Sequence, residues 1–93
     1  MEKYFIEVPH EADPGECARA IQLFFETGSH YMTRADWGCK DGVHKAFIIV
    51  DAESREEAKG LIPRVFHSEA KVVKLNKFTK DEVDALLRLE HSA

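Results

Sequence analysis

The segment WGCKDGVHKAFIIVD, residues 37–51, places a cysteine and a histidine on either side of an Asp-Gly pair. Thiolate and imidazole together suit zinc, copper or nickel, and a thiol beside an imidazole base is also a nucleophile. Asp41-Gly42 is the composition of a two-residue hairpin turn, which sets Cys39 directly opposite His44. Directly opposed residues hold their Cβ atoms about 4.5–5.5 Å apart, close enough for one cation to bridge the two side chains. Against this stands the absence of C-x-x-C or H-x-x-x-H spacing, together with the habit of free cysteine to be buried as a small apolar group. Two readings result: a metal or nucleophile site, with His44 as the base in the latter, or a structural cross-strand contact.

The elements that must position these residues follow from periodicity and punctuation. KYFIEV alternates Tyr4, Ile6 and Val8 with Phe5 and Glu7 and stops at Pro9, the pattern of a strand. Asp13 as N-cap, Pro14 in the first helical position and Glu16 three residues after the cap start a helix from about Pro14 to Thr27. Its apolar stripe is Cys17, Ala20, Ile21, Phe24 and Phe25, which reads Cys17 as core, and Gly28 is placed to end it. From Ser29 the period returns to two through HYMTRADW, and the hairpin turn leads into a third strand. Ser54 and Glu57 cap a short helix carrying Ala58, Leu61 and Ile62, closed by Pro63. AKVVKLNKF is the fourth strand; Thr79 and Glu82, with Phe78 and Val83 as a hydrophobic staple, then open a helix from Lys80 to about Glu90.

The order βαββαβ plus a terminal helix predicts one α+β domain over residues 1–93, of ferredoxin-like type, with an antiparallel sheet in the order 4-1-3-2. In length and element order the chain resembles the dimeric α+β barrel superfamily, which includes muconolactone isomerase and small antibiotic-biosynthesis monooxygenases. That resemblance implies a homodimer in which two sheets face each other.

In such a sheet the end of strand one, the end of strand two and the start of strand three share one edge. His10, Cys39, His44 and His67 therefore gather there, beside the positive N-terminus of helix one, while His30 falls at the opposite end. Neighbouring strands lie about 4.8 Å apart, so His10 completes a three-ligand set with Cys39 and His44, whereas His67 lies beyond strand one. A divalent metal is the cofactor this set would take.

Tyr4, Ile6, Val8, Ala35, Ala46, Ile48 and Val50 form the face expected under the helices. The opposite face carries Phe5, Met32, Phe47 and Ile49 among Glu7, Arg34, Asp36 and Lys45, a mixture suited to a dimer interface around a partly polar cavity. There Glu7, Arg34, Asp36, Lys45 and Phe47 would bind a small polar ligand, or the charges would pair with one another. The terminal helix is amphipathic through Val83, Leu86, Leu87 and Leu89, and packs on its own domain or on the partner.

A net charge of −4 with scattered basic residues excludes an electrostatic footprint for nucleic acid or an anionic membrane. With no basic, apolar leader and no apolar run of about 20 residues, a cytoplasmic location is expected. The resulting expectation is a domain that binds a small molecule or a metal. The alternatives are a structural or interaction module and, following the resemblance, a cofactor-free isomerase or oxygenase with Glu7 or Asp36 as general base.

Overall fold

Alternating burial defines the first strand, β1 (Glu2–Pro9): Tyr4, Ile6 and Val8 are buried, while Phe5 and Glu7 stay half-buried on the other side. The computed structural model describes residues 1–27 and 34–91. Helix α1 (Pro14–Thr27) begins where expected, because the Asp13 carboxylate accepts from the N–H groups of Gly15 and Glu16 at 3.0 and 3.2 Å. The Asp13 carbonyl then accepts the first helical bond, from Cys17. The Glu16 carboxylate pairs with Arg19 on the next turn. The stripe that α1 buries is Cys17, Ala20 and Phe24; Phe25 points outward and is 62% exposed, so the apolar face is narrower than its spacing suggested. Gly28, and with it the end of the helix, lies outside the described residues.

Strand β2 (Asp36–Trp37) is short. Arg34 and Ala35 precede it without joining the ladder, and Ser29, His30, Met32 and the rest of the expected strand lie outside the described residues. Period-two alternation sets which side a residue favours, but a strand also needs a partner, and among the described residues pairing starts at Asp36 opposite Phe47. Strand β3 (Lys45–Ala52) buries Ala46, Ile48, Val50 and Ala52. Helix α2 (Arg55–Gly60) is capped by Ser54, whose hydroxyl accepts from Glu57 N–H at 3.1 Å, and ends before Pro63. Strand β4 (Lys71–Leu75) and helix α3 (Lys80–His91) complete the chain, the latter capped by Thr79 accepting from Glu82 N–H at 3.1 Å.

Among the described residues the sheet is antiparallel, in the order β2-β3-β1-β4, and three α-helices accompany it, so the fold is α+β. The core lies on one face. Tyr4, Ile6, Val8, Ala46, Ile48 and Val50 meet Phe24 of α1 and Ala58 and Ile62 from α2 and the turn after it. Phe24 is the pivot: its ring meets Trp37 edge-on at 4.9 Å and Phe66 at 5.4 Å, and burying such a side chain contributes about 1.5–3 kcal/mol.

The opposite face is not covered by a helix core. Phe5 and Phe47 stack there with centroids 5.9 Å apart, half-buried, beside an Ile49 that is 54% exposed. Val83, Leu86 and Leu87 of α3 are likewise exposed. Among the described residues, no helix is long and apolar enough to cross a membrane.

Candidate metal centre

The hairpin register is the one an Asp41-Gly42 turn implies, Asp36 opposite Phe47 and Trp37 opposite Ala46, yet the turn itself is different. The ladder closes at Gly38, whose N–H donates to the Lys45 carbonyl at 3.1 Å and whose carbonyl accepts from Asp41 and Val43. Between them Cys39–Asp41 winds into a single 3-10 turn, and Gly42 leaves it in the left-handed region with φ of 82°. A two-residue hairpin turn of the Asp-Gly kind needs positive φ at both central residues; among the described residues only Gly42 has one. Cys39 and His44 are therefore not ladder partners. Gly38 is required at its position, since a Cβ there would lie 2.7 Å from the Val43 carbonyl oxygen.

Winding the loop turns Cys39 back toward β1. Its sulfur lies 3.1 Å from Nε2 of His10, which sits just past the end of β1 and whose N–H donates to the His44 carbonyl at 3.0 Å. That backbone bond extends the β1–β3 pairing by one step and fixes the two imidazoles at right angles, with ring centroids 5.8 Å apart. Trp37 packs edge-on against His10 at 5.7 Å and, through its contact with Phe24, covers this end of the sheet beneath α1.

The fourth member is Cys17. The Asp13 cap starts α1 so soon after β1 that the first turn lies over the sheet end, and Cys17 points down from it. Its sulfur is 2.8 Å from His10 Nε2 and 3.6 Å from His44 Nδ1. Ligand atoms of His10, Cys17, Cys39 and His44 all lie within 4.8 Å of one another. The expected set of His10, Cys39 and His44 is thus brought together and gains a second sulfur. His67 is not part of it, its Nε2 donating to the Ile62 carbonyl at 3.0 Å.

The electrostatics favour the neutral forms of His10 and Cys17. Burial, and then the neighbouring His44, push His10 below the ordinary imidazole value, toward the form with a free lone pair. A hydrogen bond with Cys39, burial, and the negative charges of Cys39 and Asp13 push the Cys17 thiol up. A bound cation reverses the second effect, because it stabilises both thiolates at once. His10 Nδ1 is buried without, among the described residues, the outer hydrogen-bond partner that usually orients a metal-ligating histidine.

No family model, curated protein or solved structure matches this chain. The site stands on its geometry.

A cleft of about 700 Å³ opens beside the cluster, lined by Pro14, Cys17, Ile21, Trp37, Cys39 and His44. It gives solvent and small solutes a route to both sulfurs. Asp36 is exposed and lines the same cleft. On the open sheet face, Lys45 Nζ donates to Glu7 Oε1 at 3.2 Å, both side chains partly exposed, and Phe47 stacks on Phe5. An exposed pair of this kind contributes about 0–1 kcal/mol. Arg34, exposed ahead of β2, completes the expected polar set in sequence but stands outside the ladder.

Proposed function

We propose that this chain binds one transition-metal ion, zinc first among them, through His10, Cys17, Cys39 and His44. The observation that carries the reading is the convergence of four soft or borderline ligand atoms within 4.8 Å from three separate stretches of chain. A tetrahedron with Zn–S of about 2.3 Å and Zn–N of about 2.0–2.1 Å has edges of about 3.3–3.8 Å. The sulfur-to-nitrogen distances of 2.8, 3.1 and 3.6 Å approach those edges; an outward movement of the 3-10 turn would lengthen the Cys39–His10 distance, and a shift of the His10 ring away from Cys17 the shortest one. Two sulfurs with two imidazoles in tetrahedral reach suit zinc better than magnesium or calcium, which prefer oxygen. Copper and nickel accept the same ligand types and are the next metals to try. Four protein ligands make a closed, structural centre. The competing account is a hydrogen-bonded thiol–imidazole cluster with no ion. Native mass spectrometry with added zinc separates them: one zinc per chain, retained through buffer exchange that removes free metal, is the expected result, and the metal-free mass at micromolar zinc overturns the reading.

The open sheet face supports a second reading, association into a homodimer of the ferredoxin-like, dimeric α+β barrel type. What favours it is the exposed Ile49 beside the Phe5–Phe47 stack, which a second copy of the same sheet would cover. A polar ligand between two such sheets would meet Glu7, Asp36, Lys45 and Phe47. Glu7 accepts from Lys45, so a general-base role for it would first require breaking that pair.

A further inference from the structure

Three features outside the sheet's core invite chemistry: the cleft over helix α1 and the Arg64–Phe66 turn, the exposed apolar stripe of α3, and the two thiols within the cluster. The last carries furthest. Both sulfurs meet the same nitrogen, His10 Nε2, at 2.8 and 3.1 Å, and both line a cleft open to small solutes. Cys39 is half-buried on a turn flanked by Gly38 and Gly42, whereas Cys17 is 9% exposed and fixed on the first turn of α1. One thiol is thus accessible and on a loop, and the other is held behind it, which is the arrangement of an attacking and a resolving cysteine.

We infer that Cys39 and Cys17 form a redox-active dithiol, which a hydroperoxide converts to an intramolecular disulfide when no metal is bound. Cys39 gives its proton to His10 Nε2 and attacks the terminal peroxide oxygen; the O–O bond breaks, and the leaving alkoxide or hydroxide takes the proton back from His10. The product at Cys39 is a sulfenic acid. Cys17 then attacks that sulfur, the S–O bond breaks, and hydroxide leaves as water with the Cys17 proton. Two thiols have lost two hydrogens, and the two electrons have gone to the O–O bond. A disulfide requires the sulfurs to approach to about 2.05 Å, a closure that falls to the Cys39 turn because α1 is anchored by its Phe24. Protection of the pair by bound metal rests on the metal reading above; the dithiol chemistry does not.

The experiment treats chelator-stripped protein with two equivalents of hydrogen peroxide, enough to carry a lone thiol to the sulfinic acid, alkylates it under denaturing conditions and weighs it. The expected result is a monomeric chain lighter by about 2 Da that takes up no alkylating reagent, with a linked peptide joining Cys17 to Cys39 that dithiothreitol releases. Substitution Cys17→Ser should send Cys39 on to the sulfinic acid, and His10→Gln should slow disulfide formation by on the order of tenfold or more while leaving the product the same. Wild-type protein that carries a sulfinic Cys39 beside an alkylatable Cys17, or that links only between chains, overturns the inference. Repeating the oxidation with zinc in excess tests the other reading separately: closure at an undiminished rate would leave the dithiol standing and sink the metal centre.

Discussion

Removing one sulfur distinguishes a four-ligand centre from the three-ligand set of His10, Cys39 and His44. An ion that binds only the folded chain stabilises it by RT ln(1 + [L]/Kd), about 2.7 kcal/mol at 100 times Kd. For a chain of 93 residues each kilocalorie moves Tm by about 4–8 °C, so saturating zinc should raise Tm by about 11–22 °C. Cys17 lies 2.8 Å from His10 Nε2 and 3.6 Å from His44 Nδ1, inside the cluster, so Cys17→Ser replaces a thiolate ligand with a poor one. A loss of about a hundredfold in affinity brings the same zinc concentration down to about Kd, which leaves about 0.4 kcal/mol and a shift of about 2–3 °C. The assay is a circular-dichroism melt of wild type, Cys17→Ser and Cys39→Ser, each with zinc and with chelator. Because serine is nearly isosteric, the chelated melts should stay close together, and only the zinc-dependent increment should collapse. A full increment in Cys17→Ser would refute four-fold ligation and return the site to three residues. Coincident wild-type melts with and without zinc would refute ligation altogether.

Gly38→Ala should cost about 1–3 kcal/mol in a denaturant titration, because the new Cβ meets the Val43 carbonyl at 2.7 Å, and should also weaken zinc binding by displacing Cys39; unchanged stability would count against the described turn. Thr79→Ala should cost about 1 kcal/mol and fray α3, seen as reduced helical signal, since the Thr79 hydroxyl accepts from Glu82 N–H. If two copies pair through the open sheet face as proposed, Ile49→Lys should give a monomer in light scattering; a wild-type protein already monomeric at 10.6 kDa at micromolar concentration would remove the barrel reading. In the metal-free chain, His10 is held below its ordinary 6.5, so the unfolded chain binds the extra proton and stability falls as pH drops through 6.5. Cys17 is held above its ordinary 9.0, so the folded chain keeps a proton that the unfolded chain releases, and stability also falls as pH rises past 9.0. Melting temperature against pH should therefore show two limbs, the acid one lost in His10→Gln and the alkaline one in Cys17→Ser.

The parts legible in the sequence are those governed by local chemistry. Asp13, Ser54 and Thr79 cap α1, α2 and α3 because a short oxygen-bearing side chain accepts from the otherwise unpaired N–H three residues on, and a Glu at that third position followed by apolar periodicity marks a helix start. The alternation of Tyr4, Ile6 and Val8 gave the buried face directly. The Asp41-Gly42 turn was half legible: the pairing register of β2 and β3 follows from the alternating pattern, but the path between them depends on whether Asp41 accepts a positive φ, which composition does not decide. Cys17 was rightly read as core, but its place in the cluster was missed for a different reason. On a helical wheel a cysteine at the position of Ala20 and Phe24 counts as apolar, and burial alone satisfies that reading. Its chemistry becomes visible only by tracing the chain backward: His10 follows β1, Asp13 starts α1 within the same short connection, and a first turn begun that early must hang over the strand end. Whatever points inward from that turn meets whatever gathers at the sheet edge below, where topology had already placed His10, Cys39 and His44. A polarisable atom in that position is therefore both part of the core and within reach of the other ligand atoms, and packing and chemistry are not competing explanations of Cys17.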